Sequence, residues 1–168
     1  VVSLHHIATI DDDTMIHCVN TTVYSVLIGK KSGLSMDDLM ILAKGTILHD
    51  VGKVDLNESI LLKSSPLTPE EFSHIKEHSI FGYTLLKQND LLPEEARIIA
   101  LEHHERLDGS GYPGGLKGDE IHPYAQIAAV ADMYDALTTV RCYRQSMSNH
   151  KAYKIITEDA AAGKLNKH

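Results

Sequence analysis

Apolar residues recur along the chain at three- and four-residue steps, and strand-type alternation is weak throughout, a pattern that predicts helices. From about Thr9 to Gly29 the steps fall on Ile16, Val19, Val23, Val26 and Leu27, with Gly29 as the stop. Ser35 caps a second helix carrying Leu39, Met40, Leu42 and Ala43; its continuation to His49-Asp50 crosses Gly45 and is expected to break near those two residues. Thr68-Pro69-Glu70-Glu71 joins a cap, a first-turn proline and a glutamate at the third helical position, and opens one helix bearing Phe72, Ile75, Ile80, Tyr83 and Leu86. Pro93-Glu94-Glu95 opens another, through Ile98, Ile99 and Leu101 toward His104. The stretch from Asp108 to Pro123 reads as loop, with five glycines between Gly109 and Gly118. Pro123 begins a strong helix with Ile127, Val130, Ala131, Tyr134 and Leu137 on its apolar side, and Ser148 caps a last one to about Ala161. The expected fold class is all-α, a compact helical bundle in one domain without internal repeats.

Composition sharpens this picture at one point. Of 168 residues, 43% are hydrophobic and 23% charged, ample for one core. Histidine, at eleven, outnumbers phenylalanine at two, and tryptophan is absent. Sixteen basic against twenty-three acidic residues give a net charge of −7, which argues against a DNA or RNA duplex as partner. A small anionic ligand stays compatible with that charge where bound metal ions invert the local sign. The two cysteines, Cys18 and Cys142, form no CxxC pair, in keeping with a reducing, cytoplasmic setting. No apolar run reaches the roughly 18 residues of a membrane span. The chain opens on Val1 rather than methionine and is read as a fragment of a longer protein.

The histidines suggest where the chemistry lies. His49-Asp50, His103-His104 and Asp132, with His17 and His78, fall on separate predicted helices or their ends, and a bundle turns such groups toward a shared interior. Imidazole and carboxylate together suit hard to borderline divalent ions, and two ions a few ångströms apart share a carboxylate while activating one water. Taken singly, His49-Asp50 reads equally as an exposed polar pair and His103-His104 as solvated. Asp132 is more telling, because Ala-Val-Ala-Asp-Met-Tyr-Asp-Ala-Leu surrounds it with small and apolar neighbours, where an unpaired carboxylate is costly. Asp135, three residues on, is placed to orient a ligand histidine or simply to face solvent. Lys53, four residues after His49, is a candidate phosphate contact, as are Arg141 and Arg144 beyond the Asp132 helix. The glycine-rich stretch lacks the Gly-Lys-Ser/Thr ending of a P-loop.

Three stretches, His49-Asp50-Val51-Gly52-Lys53, the run from His103 through Gly111-Tyr112-Pro113 to Leu116, and Val130 to Thr138, together resemble the HD-GYP domain, a branch of the HD-domain metal-dependent phosphohydrolases. The resemblance places the domain at residues 1–161, with 162–168 as a frayed tail. It implies hydrolysis of cyclic di-GMP to linear pGpG, which some members of the family carry on to GMP. It also implies two or three divalent ions, iron or manganese, held by His17, His49, Asp50, His78, His103, His104 and Asp132. Asp50 is expected to bridge ions and hold the nucleophilic water, Lys53 to act at the scissile phosphate, and Tyr112, Arg141 and Arg144 to meet substrate. An upstream sensory or receiver module is the implied partner. Where some members of the family use a glutamate for a third ion, this chain has Asp13; Cys18, Asn20 and Gln126 also depart from the family pattern. Hydrolysis of another nucleotide or phosphate ester, and a catalytically quiet metal-containing signalling module, stand as alternatives.

Overall fold

The structure, a computed structural model, describes residues 12–61, 63, 65–139 and 146–167. It is all-α: α1 (Asp12–Lys31), α2 (Met36–Ile47), α3 (Glu58–Leu61), α4 (Pro69–Lys76), α5 (His78–Leu86), α6 (Glu94–Glu102), α7 (Pro123–Thr138) and α8 (Asn149–Ala161), with short 3-10 turns at Val51–Asp55 and Gly118–Glu120. Among the described residues, strand-like pairing is confined to an isolated antiparallel bridge between Asp108 and Lys117. The expected caps form. Ser35 and Asp38 make a reciprocal capping box at α2, Thr68 and Glu71 another at α4, and the Ser148 hydroxyl accepts from the Lys151 amide at α8.

Two helices differ from expectation. The apolar stripe of α1 faces outward, with Ile16, Val19, Val23 and Leu27 each about half exposed, while His17, Cys18, Thr21 and Ser25 are buried. Inward residues here are small or functional because α1 packs closely on α2 and α7 and must deliver His17 to the interior. The single helix predicted from Thr68 is instead two, α4 and α5, separated at Glu77. That break sets His78 at the head of α5, buried, while Phe72 and Ile80 stay nearly half exposed.

Along α7 the buried positions are Ala125, Ala128, Ala129, Ala131, Asp132, Asp135 and Leu137, while Ile127, Val130 and Tyr134 are only partly buried. The alanines let neighbouring helices approach, and the space goes to two carboxylates. α2 runs unbroken through Gly45, where a side chain would meet Ala96 O of α6 at 2.6 Å. Gly52 is more constrained still. A Cβ there would collide with His78 O and the Gly82 amide of α5, so the 3-10 turn lies directly against that helix and brings His49 and Asp50 beside His78.

After α8 the chain returns to the body of the domain. Lys164 O accepts from the Leu107 amide at 2.9 Å, Leu165 is buried, and the Asn166 amide donates to Gln126 Oε1 at 3.0 Å. None of the described helices is long and apolar enough to cross a membrane.

Candidate metal centre

Three of the histidines sit at helix ends and reach back to a carbonyl of the preceding turn. The Nδ1–H of His49 donates to Thr46 O at 2.7 Å, that of His78 to Ile75 O at 2.7 Å, and that of His103 to Ile99 O at 3.0 Å and Ala100 O at 3.1 Å. A carbonyl only accepts, so each Nδ1 keeps its proton and each Nε2 carries a lone pair into the interior.

Those lone pairs lack ordinary partners. His49 Nε2 is buried without a hydrogen bond, and the Nε2 atoms of His78 and His103 face one another at 3.3 Å. Two acceptors in that position repel unless a cation stands near them. This is the direct structural reason for assigning metal to the site.

The donors form two groups, His17, His49 and Asp50 in one and His78, His103 and His104 in the other, the ligand atoms of each lying within 4.8 Å of one another. Asp50 stands between them. Its Oδ2 is 3.5 Å from His49 Nε2 and 3.8 Å from His17 Nε2, while its Oδ1 is 3.4 Å from His78 Nε2 and 4.0 Å from His103 Nε2. Asp132 spans a second edge, with Oδ1 3.1 Å from His17 Nε2 and Oδ2 3.9 Å from His104 Nδ1. The arrangement fits one or two divalent ions.

Protonation states suit that role. Burial, reinforced by neighbouring cationic groups, holds His49 and His78 below the ordinary histidine value and His103 well below it, and burial takes His104 down to about 3. Burial works against ionised Asp50 and Asp132, but Lys53 and nearby histidines at Asp50, and the hydrogen bond from His17 with nearby histidines at Asp132, prevail and keep both carboxyls well below the usual range. Neutral imidazoles and ionised carboxylates are the forms that bind metal. His17 is the exception: burial opposes its charge, yet hydrogen bonds to Asp132 and Asp135 push its pKa up to about 9.

Asp135 fixes that ring, receiving His17 Nδ1 at 2.6 Å on Oδ2 while Asn20 and Thr139 donate to Oδ1 at 2.9 and 2.7 Å. Of the two readings open for Asp135, the buried orienting one is realised. The sequence marks Asn20 only as a departure from the family pattern and does not mark Thr139, so neither contact with Asp135 is read from it. Their spacing, three residues after His17 and four after Asp135, is the signal that would have found them.

Lys53 Nζ binds Asp50 Oδ2 at 2.5 Å. The histidine side chains at the centre are at most 4% exposed except His104, at 22%; with Lys53 at 19% and Asp132 at 13%, these mark the open side. Tyr112 lies there, its ring 4.6 Å from that of His104 and tilted by 32°. Burial and the charges of Asp132 and Asp50 raise its hydroxyl pKa, keeping it a donor at neutral pH. Asp13 lies in the first turn of α1 with its side chain outside the described residues, as are Arg141 and Arg144.

Comparison with known proteins agrees with this geometry. The family model of the HD domain matches residues 9–166. The chain belongs to the HD-domain family. Its His-Asp pair is His49-Asp50, and its Gly-Tyr-Pro loop and helical fold are of the HD-GYP type within that metal-dependent phosphohydrolase superfamily. This HD domain is 43% identical over 122 residues to a probable cyclic di-GMP phosphodiesterase of Vibrio cholerae, covering 68% of this chain and 28% of the relative. It is 36% identical over 143 residues to the 3'3'-cGAMP-specific phosphodiesterase 3 of the same organism, covering 85% and 31%. Among solved structures, the HDG"Y"P protein Bd1817 from Bdellovibrio bacteriovorus superposes with a TM-score of 0.73 at 24% identity, over 90% of this chain and 48% of that one, a likeness of fold. The chain thus spans about a third or less of the length of these curated relatives.

Proposed function

We propose that this HD domain hydrolyses cyclic di-GMP, opening the ring to linear pGpG and carrying some product on to GMP. The observation that supports this reading best is the position of Asp50, one oxygen turned to each histidine group, as a carboxylate shared by two ions would be. Iron or manganese is the proposed metal, held by His17, His49, Asp50, His78, His103, His104 and Asp132, with Asp13 the candidate for a third ion. When bound, such ions would lower the pKa of a water and offset charge building on the phosphodiester.

The chain's own groups act around that chemistry. Asp135 holds His17 in one ring orientation, and the carbonyls of Thr46, Ile75 and Ile99 do the same for His49, His78 and His103. Asp50 is proposed to accept a hydrogen bond from the attacking water. Lys53, on the open side and paired to Asp50, is proposed to turn its ammonium to a phosphate oxygen and stabilise the added negative charge. Tyr112 is proposed to meet the nucleotide with its edge and hydroxyl, because His104 takes a ring face. Arg141 and Arg144 are proposed substrate contacts. In an acidic chain, the metals and these few cations supply the attraction an anionic substrate needs. A sensory or receiver unit elsewhere in the full-length protein would control the activity.

The Vibrio relative named for 3'3'-cGAMP gives a second reading, the mixed cyclic dinucleotide as substrate. Turnover of cyclic di-GMP, 3'3'-cGAMP, pGpG and simple nucleotides, measured side by side after anaerobic loading with iron or manganese, separates the readings. Fastest cleavage of cyclic di-GMP is expected. Preference for 3'3'-cGAMP would transfer the assignment, and no cleavage by metal-loaded protein would defeat it in favour of a quiet signalling module.

A further inference from the structure

Immediately after the two adjacent histidines, the chain buries a third ionisable side chain, bound to the glycine-rich loop. Glu105 is 3% exposed. Its Oε1 accepts the amides of Gly114 at 2.6 Å and Gly115 at 3.1 Å, and its Oε2 accepts that of Leu116 at 3.0 Å. Three converging backbone N–H groups compensate one carboxylate charge, so the glycine-rich loop itself serves as the counter-ion.

The rest of the loop is pressed onto the same segment. A Cβ at Gly111 would collide with Glu105 Cα and the Arg106 amide and meet His104 O at 2.5 Å, and the Tyr112 amide donates to His104 O at 3.3 Å. Residues 103–105 therefore do two jobs in three positions: two rings enter the metal centre and one carboxylate holds the loop beside it. The outcome is the placement of Tyr112 on His104 at the open side, with Lys76 Nζ 5.3 Å from the Tyr112 ring and 4.8 Å from that of Phe72. Aromatic edge, hydroxyl and ammonium together make one wall of the opening, suited to a purine nucleotide unit carrying a phosphate.

We propose that Glu105 is a positioning residue for substrate recognition, locking the loop so that Tyr112 and Lys76 form a wall that grips the half of a cyclic dinucleotide remote from the scissile phosphate. This rests on the function proposed above. It requires nothing of the chemistry at phosphorus, which sets its test. Glu105→Gln replaces one acceptor oxygen by an NH₂ that meets amide donors, so the loop loses part of its anchor while the metal ligands stay.

Metal-loaded wild type, Glu105→Gln, Tyr112→Ala and the double variant are compared by metal content, by hydrogen exchange at Gly114, Gly115 and Leu116, and by kinetics on two substrates, cyclic di-GMP and the small diester bis(p-nitrophenyl) phosphate. In Glu105→Gln, exchange at the three amides is expected to accelerate with metal content unchanged. The KM for cyclic di-GMP is expected to rise about tenfold in either single variant and no further in the double, the mark of residues acting as one unit. In Glu105→Gln the rate on the small diester is expected to stay within about twofold. Unchanged exchange, equal losses on both substrates, or additive effects in the double variant would overturn the proposal. Wild type that cleaves the small diester but neither binds nor cleaves cyclic di-GMP would overturn the substrate reading itself, while exchange still reports on the loop.

Discussion

Four of the five clustered histidine rings are held through Nδ1 by hydrogen bonds, and the contact of His17 makes a prediction. The His17 ring depends on Asp135, itself held by Asn20 and Thr139. Asp135→Asn keeps shape and removes charge, so folding should persist while metal affinity falls about 10- to 100-fold, as titration against a chelator would show. Unchanged affinity would mean that His17 is oriented by something else. The histidine and aspartate cluster was legible in the sequence because such residues are scarce at apolar helical positions, and because the run from His103 to Leu116 is long and specific. Glu105 and Asn20 were not, since an acidic or amide side chain looks the same in sequence whether it faces solvent or a ring of amides. Which nitrogen of His49, His78 and His103 points inward was also beyond the sequence, being decided by carbonyls three and four residues back.

Packing between elements is what brings these residues together, and it tests at different positions. The contact of Gly52 with α5 is closed to any side chain. Gly52→Ala should cost about 1–3 kcal/mol in denaturant unfolding and, by pushing His49-Asp50 from His78, lower metal content as well. Stability lost without any loss of metal would separate the fold from the site. A second tie joins α7 to α2, where the Tyr124 hydroxyl donates to Asp38 Oδ1 at 2.5 Å. Burial and that hydrogen bond raise the Tyr124 pKa to about 12. A phenol whose folded pKa exceeds its unfolded value, about 10, stabilises the fold fully below that pH and loses the contribution as pH climbs toward the folded value. Tyr124→Phe should therefore remove a late-ionising phenol from the absorbance titration, flatten the alkaline fall in stability, and cost about 1 kcal/mol at neutral pH. Helix caps were legible because Ser35, Thr68 and Ser148 act locally. The facing of α1 was not: periodicity marks an apolar stripe, but burial went to His17, Cys18, Thr21 and Ser25, where close helix approach and the site required them. The same cause hid the break at Glu77, which sets the buried His78 at the start of α5.

On the scale of the whole molecule, a net-acidic bundle buries a cluster of imidazoles whose lone pairs converge, and opens it on the side where His104, Lys53 and Asp132 stand. All-α architecture followed from periodicity alone, whereas the meeting of five histidines in one interior needed tertiary contacts between residues as far apart as His17 and Asp135. The account makes Asp50 the group both halves of the centre share. Its most direct test is the product formed from cyclic di-GMP by anaerobically metal-loaded protein, resolved by chromatography and mass for wild type and Asp50→Asn. Linear pGpG from wild type, and none from a folded Asp50→Asn protein depleted of metal, is the predicted result; cleavage that survives Asp50→Asn, or metal-replete wild type that leaves the cyclic dinucleotide intact, would contradict it.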